Sequence, residues 1–84
     1  MIKFRSHGEE LKDILSGKIN KISREIDRHN PVFEELEDIQ ALYHCGEKES
    51  LGIIYILDDN GYRIDKSLKI KKISYKDGSA IIEW

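Results

Sequence analysis

The sequence contains few of the features that mark secreted, metal-binding or membrane-spanning proteins. Its single cysteine, Cys45, cannot form a disulfide within the chain and has no second cysteine with which to bind zinc. No apolar run approaches the length of about 18 residues that predicts a membrane-spanning helix, and the opening residues MIKFRSHGEE lack the apolar segment of a signal peptide. We therefore expect a cytoplasmic protein with no metal, no other cofactor and no contact with a membrane.

The motifs of common catalytic sites are also missing. There is no Gly-rich phosphate loop, no GxSxG sequence and no recognisable pair of catalytic carboxylates. Asp58-Asp59-Asn60-Gly61 begins like a calcium loop, but the position that should hold a bidentate Glu is Lys69. His44 and Cys45 are adjacent and would point to opposite faces of a strand, so they cannot act as base and nucleophile. We predict no catalytic, cofactor-binding or metal-binding residue and favour a non-enzymatic protein.

A strong net charge is absent, although charged residues are abundant. The net charge is −2, and 36% of the residues are charged, against about 25% in an average protein. This mixture of signs is typical of a soluble surface and not of a protein that coats a polyanion. The 84 residues are assigned to one domain spanning residues 1–84.

The apolar pattern of the N-terminal third predicts a long amphipathic helix over about residues 7–29. Ser6 and Glu9 have the spacing of a capping box, and Gly17 falls inside the predicted helix. Before it, Ile2 and Phe4 alternate with polar residues and form an optional edge strand. The apolar stripe of the helix consists of Leu11, Ile14, Leu15, Ile19, Ile22 and Ile26.

A short second helix is predicted over about residues 31–37. It begins at Pro31 with Asn30 as its cap, because proline avoids the interior of a helix but suits its first position. Its far end is open, since the helical spacing continues through Ile39 and Tyr43. We favour a strand from about Ile39, where apolar residues also alternate.

The remainder predicts an antiparallel β-meander of four strands, which completes an α+β fold. Asn60-Gly61 and Asp77-Gly78 are strong signals for two-residue hairpins. At Lys71-Lys72 the alternation slips by one residue, which predicts a bulge or bend. The two turns pair Leu57 with Ile64, Ile53 with Leu68 and Leu51 with Ile70 in one hairpin, and Tyr75 with Ala80, Ile73 with Ile82 and Lys72 with Glu83 in the other.

This register leaves the predicted sheet apolar on both faces. The helix would cover the inward face, which consists of Ala41, Tyr43, Leu51, Ile53, Leu57, Ile64, Leu68 and Ile70. The candidates for an interface on the other face are Leu42, Ile54, Ile56 and Ile81. Because a one-sided antiparallel sheet should alternate, the second face is covered by closure into a barrel, by the short helix or by a second subunit. A homodimer follows from the last alternative.

Charge is segregated along the chain. Residues 31–50 carry six acids and one base, whereas residues 61–76 carry six bases and one acid. The second segment also holds Tyr62 and Tyr75. Basic side chains can bind phosphates, and aromatic side chains between them can stack on nucleobases. The alternative is a sheet edge whose lysines prevent unwanted strand pairing. The predicted patch for nucleic acid or an acidic protein consists of Arg63, Lys66, Lys69, Lys71, Lys72 and Lys76.

Three functions are consistent with these patterns. The first is a non-enzymatic protein-interaction domain, acting as a homodimer and as a regulator or inhibitor of the kind carried by phages and mobile elements. The second is a nucleic-acid-binding module that uses the basic segment 61–76.

The third follows from a resemblance in the order of elements. Strand, helix, short helix and meander together resemble the RelE-type toxin ribonucleases in outline, and a helix before a bent barrel is similar to Sm-like RNA-binding proteins. A toxin-like ribonuclease would have His44, Arg63 and Tyr75 as its acid–base groups. Such toxins are usually basic with catalytic bases near the C-terminus, whereas this chain ends in Ala-Ile-Ile-Glu-Trp.

Overall fold

A computed structural model describes all residues from Met1 to Trp84 and contains two helices and six strands. The predicted α+β class is confirmed, with six strands rather than four. In chain order the elements are β1 (Ile2–Arg5), α1 (Gly8–Ser16), β2 (Lys21–Glu25), α2 (Pro31–His44), β3 (Ile53–Leu57), β4 (Leu68–Lys69), β5 (Lys72–Lys76) and β6 (Ser79–Glu83).

The strands form two three-stranded sheets instead of one meander. The first sheet has the order β1-β3-β4, and the second has the order β2-β6-β5. The optional N-terminal strand is present at the edge of the first sheet, where β1 runs parallel to β3, and every other pair is antiparallel. The chain leaves the first sheet after Lys69 and enters the second at Lys72, so the change of direction lies at the predicted bend.

The long first helix was predicted incorrectly, because α1 ends at Ser16. Gly17 adopts the left-handed conformation with φ 79°, and its N–H donates to the carbonyl of Ile14. This arrangement ends a helix and suits glycine, which has no Cβ to clash. The residues that follow form β2, in which Ile22 is buried opposite Ile82 of β6. Pairing with β6 therefore prevails over a spacing that is equally compatible with a helix.

The predicted capping box is also absent. The residue preceding the first helix is His7, whose side chain makes no capping hydrogen bond. The Ser6 hydroxyl instead donates to a carboxylate oxygen of Glu10 at 2.6 Å.

The second helix is longer than predicted and replaces the strand expected from Ile39. Asn30 caps it as expected, since its side-chain oxygen accepts from the N–H of Val32 at 3.1 Å, and Pro31 is its first residue. The helix continues to His44, which corresponds to the alternative left open by the sequence. Leu36 is buried and Ile39 packs against the core. The helical spacing of the apolar residues, and not their alternation, therefore corresponds to the structure of this segment.

The two predicted hairpins differ in outcome. Asp77-Gly78 forms the two-residue turn with positive φ at both residues, and β5 and β6 pair as predicted. The Asn60-Gly61 turn is wider than predicted, because the Asp58 side chain accepts from the N–H groups of Asn60 and Tyr62 and organises a longer loop. The observed pairs are Leu57 with Arg63, Ile54 with Leu68 and Ile53 with Lys69.

That difference in register exchanges the two faces of β3. Ile54 and Ile56 are 0% and 1% exposed, whereas Ile53, which was predicted to face inward, is 41% exposed. Leu57 is only partly buried, and Tyr43 is an exposed residue of α2. The inward face predicted for the sheet is therefore wrong at these positions.

One hydrophobic core of sixteen buried residues connects both sheets and both helices. Helix α1 contributes Ile14, and α2 contributes Leu36, both completely buried. The ring of Phe33 on α2 packs at 5.8 Å against the ring of Phe4 on β1. The two small sheets therefore share a core that neither could form alone.

A polar cluster ties β1, α1 and β2 together beside this core. The guanidinium of Arg24 on β2 donates to both carboxylate oxygens of Glu10 on α1. It also donates to the backbone carbonyls of Arg5 at 2.7 Å and Ser23 at 2.8 Å. The hydrogen bonds from Arg24 and Ser6 hold the pKa of Glu10 below its ordinary value, against the opposing effect of burial.

Candidate binding surface

The outer face of the first sheet carries three apolar side chains in its centre. They belong to β3, where Ile53, Tyr55 and Leu57 alternate with the core residues. Ile53 is exposed, and the other two are half-buried. No helix covers them, since the helical side chains of the core lie with Ile54 and Ile56 on the inner face.

Four basic residues surround this apolar centre. On β1, Lys3 is paired with Tyr55 and Arg5 with Leu57. On the other side, Lys69 of β4 is paired with Ile53, and Arg63 is bridged to Leu57. Paired residues project from the same side of a sheet, so these side chains share one surface. We define the basic face as Lys3, Arg5, Ile53, Tyr55, Leu57, Arg63 and Lys69.

Arg63 and Tyr55 form a cation–π pair on the basic face. The guanidinium carbon of Arg63 lies 4.7 Å from the centre of the Tyr55 ring. Such a cation–π contact stabilises an exposed arginine by about 0.5–1 kcal/mol and limits its freedom. Tyr62, next in the chain, is 72% exposed. Asp65 borders the shallow depression beside Tyr55, so this end of the face also carries one negative charge.

The other two nearby carboxylates are already engaged. Asp58 accepts backbone hydrogen bonds within its own turn, at 2.9 and 3.0 Å. Asp59 forms an exposed 2.6 Å contact with Nδ1 of His7 at the start of α1. Both contacts keep these carboxylates at the turn and orient them toward their partners.

The six residues of the predicted basic patch are divided among several places. Arg63 and Lys69 lie on the basic face. Lys66 has a structural partner, because its ammonium donates to the carbonyl of Ile14 at 3.1 Å at the end of α1. Cations near a helix C-terminus are favourable through the helix dipole.

The remaining lysines of the patch lie away from the basic face. Lys71 and Lys72 line a cleft with Tyr43 and His44 at the end of α2. Lys76 is at the far end of β5, the edge strand of the second sheet. Edge protection is sufficient to explain the lysines of β5.

The two tyrosines of the basic segment are separated as well. Tyr62 adjoins the basic face, whereas Tyr75 is in the second sheet and is 40% exposed. Partial burial raises the pKa of Tyr75, with a smaller contribution from the negative charge of Glu37. Tyr75 is therefore a protonated phenol at neutral pH.

Of the four interface candidates, two are core residues. Ile54 and Ile56 are buried within the chain and are not surface residues, which follows from the change of register. Leu42 on α2 and Ile81 on β6 are half-buried and remain accessible in part. Leu42 and Ile81 are therefore the two candidates that a second subunit could contact.

The candidate acid–base groups of a ribonuclease are placed on three separate elements. His44 is the last residue of α2, where its ring packs edge-on at 5.7 Å against Tyr43. Arg63 is on the outer side of the first sheet, and Tyr75 is in the second sheet. No group of three His, Cys, Asp or Glu side chains is close enough to hold a metal ion. Cys45 is exposed.

Sequence reasoning missed five members of the basic face: Lys3, Arg5 and Tyr55 were assigned to no surface, and Ile53 and Leu57 were predicted to face inward. The alternation of Ile2 and Phe4 was a usable signal, because it places Lys3 and Arg5 together on the opposite side of β1. Their position beside Tyr55 depends on the parallel pairing of β1 with β3, which no local pattern encodes.

The chain matches no protein-family model, no curated protein and no solved structure. Neither helix has the length and apolar character needed to cross a bilayer.

Proposed function

We propose that this chain is a non-enzymatic interaction domain that binds an anionic macromolecular partner through its basic face. The observation that carries the proposal is the arrangement of four basic residues around three apolar side chains, one exposed and two half-buried, on one sheet face. A contiguous apolar patch with a polar rim is typical of an interaction site. The rim consists of bases, so charge complementarity favours an anionic partner.

The local charge of the basic face differs in sign from that of the whole protein, whose net charge is −2. Retention on a polyanion would therefore depend on this face and not on overall charge. We expect the wild-type chain to bind immobilised heparin, used here as a generic polyanion, and to elute as salt screens the contact.

A matched pair of double variants tests the site. Arg5→Glu/Arg63→Glu reverses two charges on the basic face, whereas Lys12→Glu/Arg28→Glu reverses two exposed charges elsewhere. Both lower the net charge equally. We expect the first variant to lose retention and the second to elute near the wild-type salt concentration. Equal losses, or no retention of the wild type, would overturn the proposal.

The homodimer stays a prediction. Size exclusion with light scattering at about 100 µM measures the molar mass in solution, and the mass of a monomer would contradict the prediction. A two-fold pairing of the basic face with itself would bring like charges together. We therefore expect a second copy, if it binds, to use a surface other than the basic face. A regulatory or inhibitory role would follow from blocking a site on the anionic partner.

A further inference from the structure

We infer that the anionic partner is a single-stranded nucleic acid. One nucleobase stacks on the Arg63–Tyr55 pair, and the surrounding basic side chains hold the phosphates. This inference rests on the proposed function, because it uses the same surface. It adds the chemistry of the partner and assigns a role to each part of the basic face.

The stacking platform is the first part. Unstacked bases are commonly bound by aromatic rings and by the planes of arginine guanidinium groups. Arg63 is an exposed residue whose guanidinium carbon lies over the half-buried Tyr55 ring at 4.7 Å, and the guanidinium is a planar group on which a nucleobase can stack. Since the ring already restrains the guanidinium, less side-chain entropy is lost when a base stacks on it.

The phosphate contacts are the second part. Lys3 and Arg5 project from the same side of β1, and a separation of two residues along a strand is about 6.6 Å. Arg63 lies across β3 from Arg5, with Leu57 between them. Lys3, Arg5 and Lys69 therefore surround the stacking platform, where they are available to the phosphates 5′ and 3′ of a stacked nucleobase.

The apolar centre distinguishes a single strand from other anions. A duplex keeps its bases stacked internally and would offer only phosphates, which leaves Ile53 and Tyr55 without a partner. An acidic peptide such as poly-Glu would pair with the basic side chains but offers no aromatic face to stack on the Arg63 guanidinium. A single strand provides both phosphates and exposed base faces, so it fits the whole surface.

Fluorescence anisotropy with four labelled probes tests the inference. The probes are a 12-nucleotide oligo(U), the matching oligo(dU), a 12-bp DNA duplex and a 12-residue poly-Glu peptide. A length of 12 nucleotides lies within the site sizes of about 4–16 nucleotides that small folds bind. We expect the single strands to bind more tightly than the duplex and the peptide. Comparison of oligo(U) with oligo(dU) shows whether the protein selects RNA or DNA.

The salt dependence measures the phosphate contacts. The three phosphate contacts of Lys3, Arg5 and Lys69 predict a slope of about −2.1 in log K against log salt, or about 20-fold weaker binding at 200 mM than at 50 mM salt. Lys69→Ala should reduce the slope by about 0.7. A slope near zero for the wild type would overturn the assignment of phosphates to this face.

The stacking platform is tested by variants that preserve charge. Tyr55→Leu should weaken binding by about 2- to 10-fold without changing the salt slope, because the Arg63 guanidinium loses the ring that restrains it for stacking. Arg63→Lys keeps the charge but removes the planar group, and it tests the platform even if Tyr55→Leu folds poorly. Tyr43→Leu is the matched control, because Tyr43 is 41% exposed on α2, away from the basic face.

The possible outcomes separate the inference from the proposed function. Binding of poly-Glu but not of oligonucleotides, abolished by Arg5→Glu/Arg63→Glu, would overturn the inference and support the interaction surface. Equal binding of duplex and single strand, or unchanged binding by both Tyr55→Leu and Arg63→Lys, would also overturn it. If none of the four probes binds, both the inference and the proposed function fail.

Discussion

Arg24 connects three elements of the fold, and its removal should destabilise the protein strongly. Its guanidinium donates to the Glu10 carboxylate on α1 and to two backbone carbonyls, one of them that of Arg5 in β1. Arg24→Ala would leave Glu10 with only the Ser6 hydroxyl as a hydrogen-bond donor. It would also leave the Arg5 carbonyl, which lies on the free edge of the first sheet, without its partner.

The magnitude follows from the number and exposure of these contacts. Hydrogen bonds to charged groups contribute about 1.5–3 kcal/mol each when well shielded. The side chains of Arg24 and Glu10 are 25% and 35% exposed, so solvent weakens the contact. We therefore expect a total loss of about 2–3 kcal/mol rather than the sum of all bonds. A domain of this size has a free energy of unfolding of about 4–13 kcal/mol, so the loss would be large.

Urea unfolding followed by Trp84 fluorescence and far-UV circular dichroism measures this loss. Trp84 is the only tryptophan and packs against the core, so its emission reports unfolding. With a slope of about 1 kcal/mol per M, the midpoint should fall by about 2–3 M. Arg28→Ala is the control, because Arg28 is an exposed arginine before α2. Equal midpoints for the two variants would refute the role assigned to Arg24.

Two further predictions concern the same contacts and the core. Because the pKa of Glu10 is lowered in the folded state, its contribution to stability is present above about pH 4.5 and is lost as the pH falls through the folded-state value. Urea midpoints should therefore show that the wild type is more stable than Glu10→Gln at pH 7 and that this difference narrows towards pH 3. A difference that stays constant with pH would contradict this prediction. Ile54→Ala should lower the free energy of unfolding by about 2–5 kcal/mol, because Ile54 is completely buried. Ile53→Ala should lower it by less than about 1 kcal/mol. Equal losses for the two variants would contradict the observed register.

Local signals in the sequence predicted the parts of the fold that depend on adjacent residues. Asn30-Pro31 specifies the start of α2, and Asp77-Gly78 specifies the turn between β5 and β6 together with its register. In both cases one side chain or one backbone conformation determines the geometry. Such signals do not depend on the rest of the chain.

The parts that were predicted incorrectly depend on distant partners. The Ile19, Ile22 and Ile26 spacing is compatible with a helix, and only pairing with β6, about 60 residues later, makes this segment a strand. Gly17 was the local signal that could have ended the helix earlier, since glycine frequently follows the last helical residue. At Asn60-Gly61 the Asp58 side chain enlarges the turn, and one residue of difference exchanges the faces of β3.

The two-sided apolar character of β3 has two different explanations for its two faces. On the inner face, Ile54 and Ile56 are covered by the core of the same chain, so their hydrophobicity is explained by stability alone. On the outer face, Ile53 is exposed, and Tyr55 and Leu57 are half-buried. Lys3, Arg5 and Lys69 lie on the edge strands β1 and β4, where edge protection also favours basic residues, but edge protection does not require apolar side chains between them. Lys3 and Arg5 flank β3 from β1. They lie far from Arg63 in the sequence, so composition alone could not place the three residues on one surface. An apolar centre with basic side chains on both sides is complementary to an anionic ligand that also has flat aromatic groups. A single-stranded nucleic acid, whose nucleobases are linked through phosphates, is a ligand of this kind.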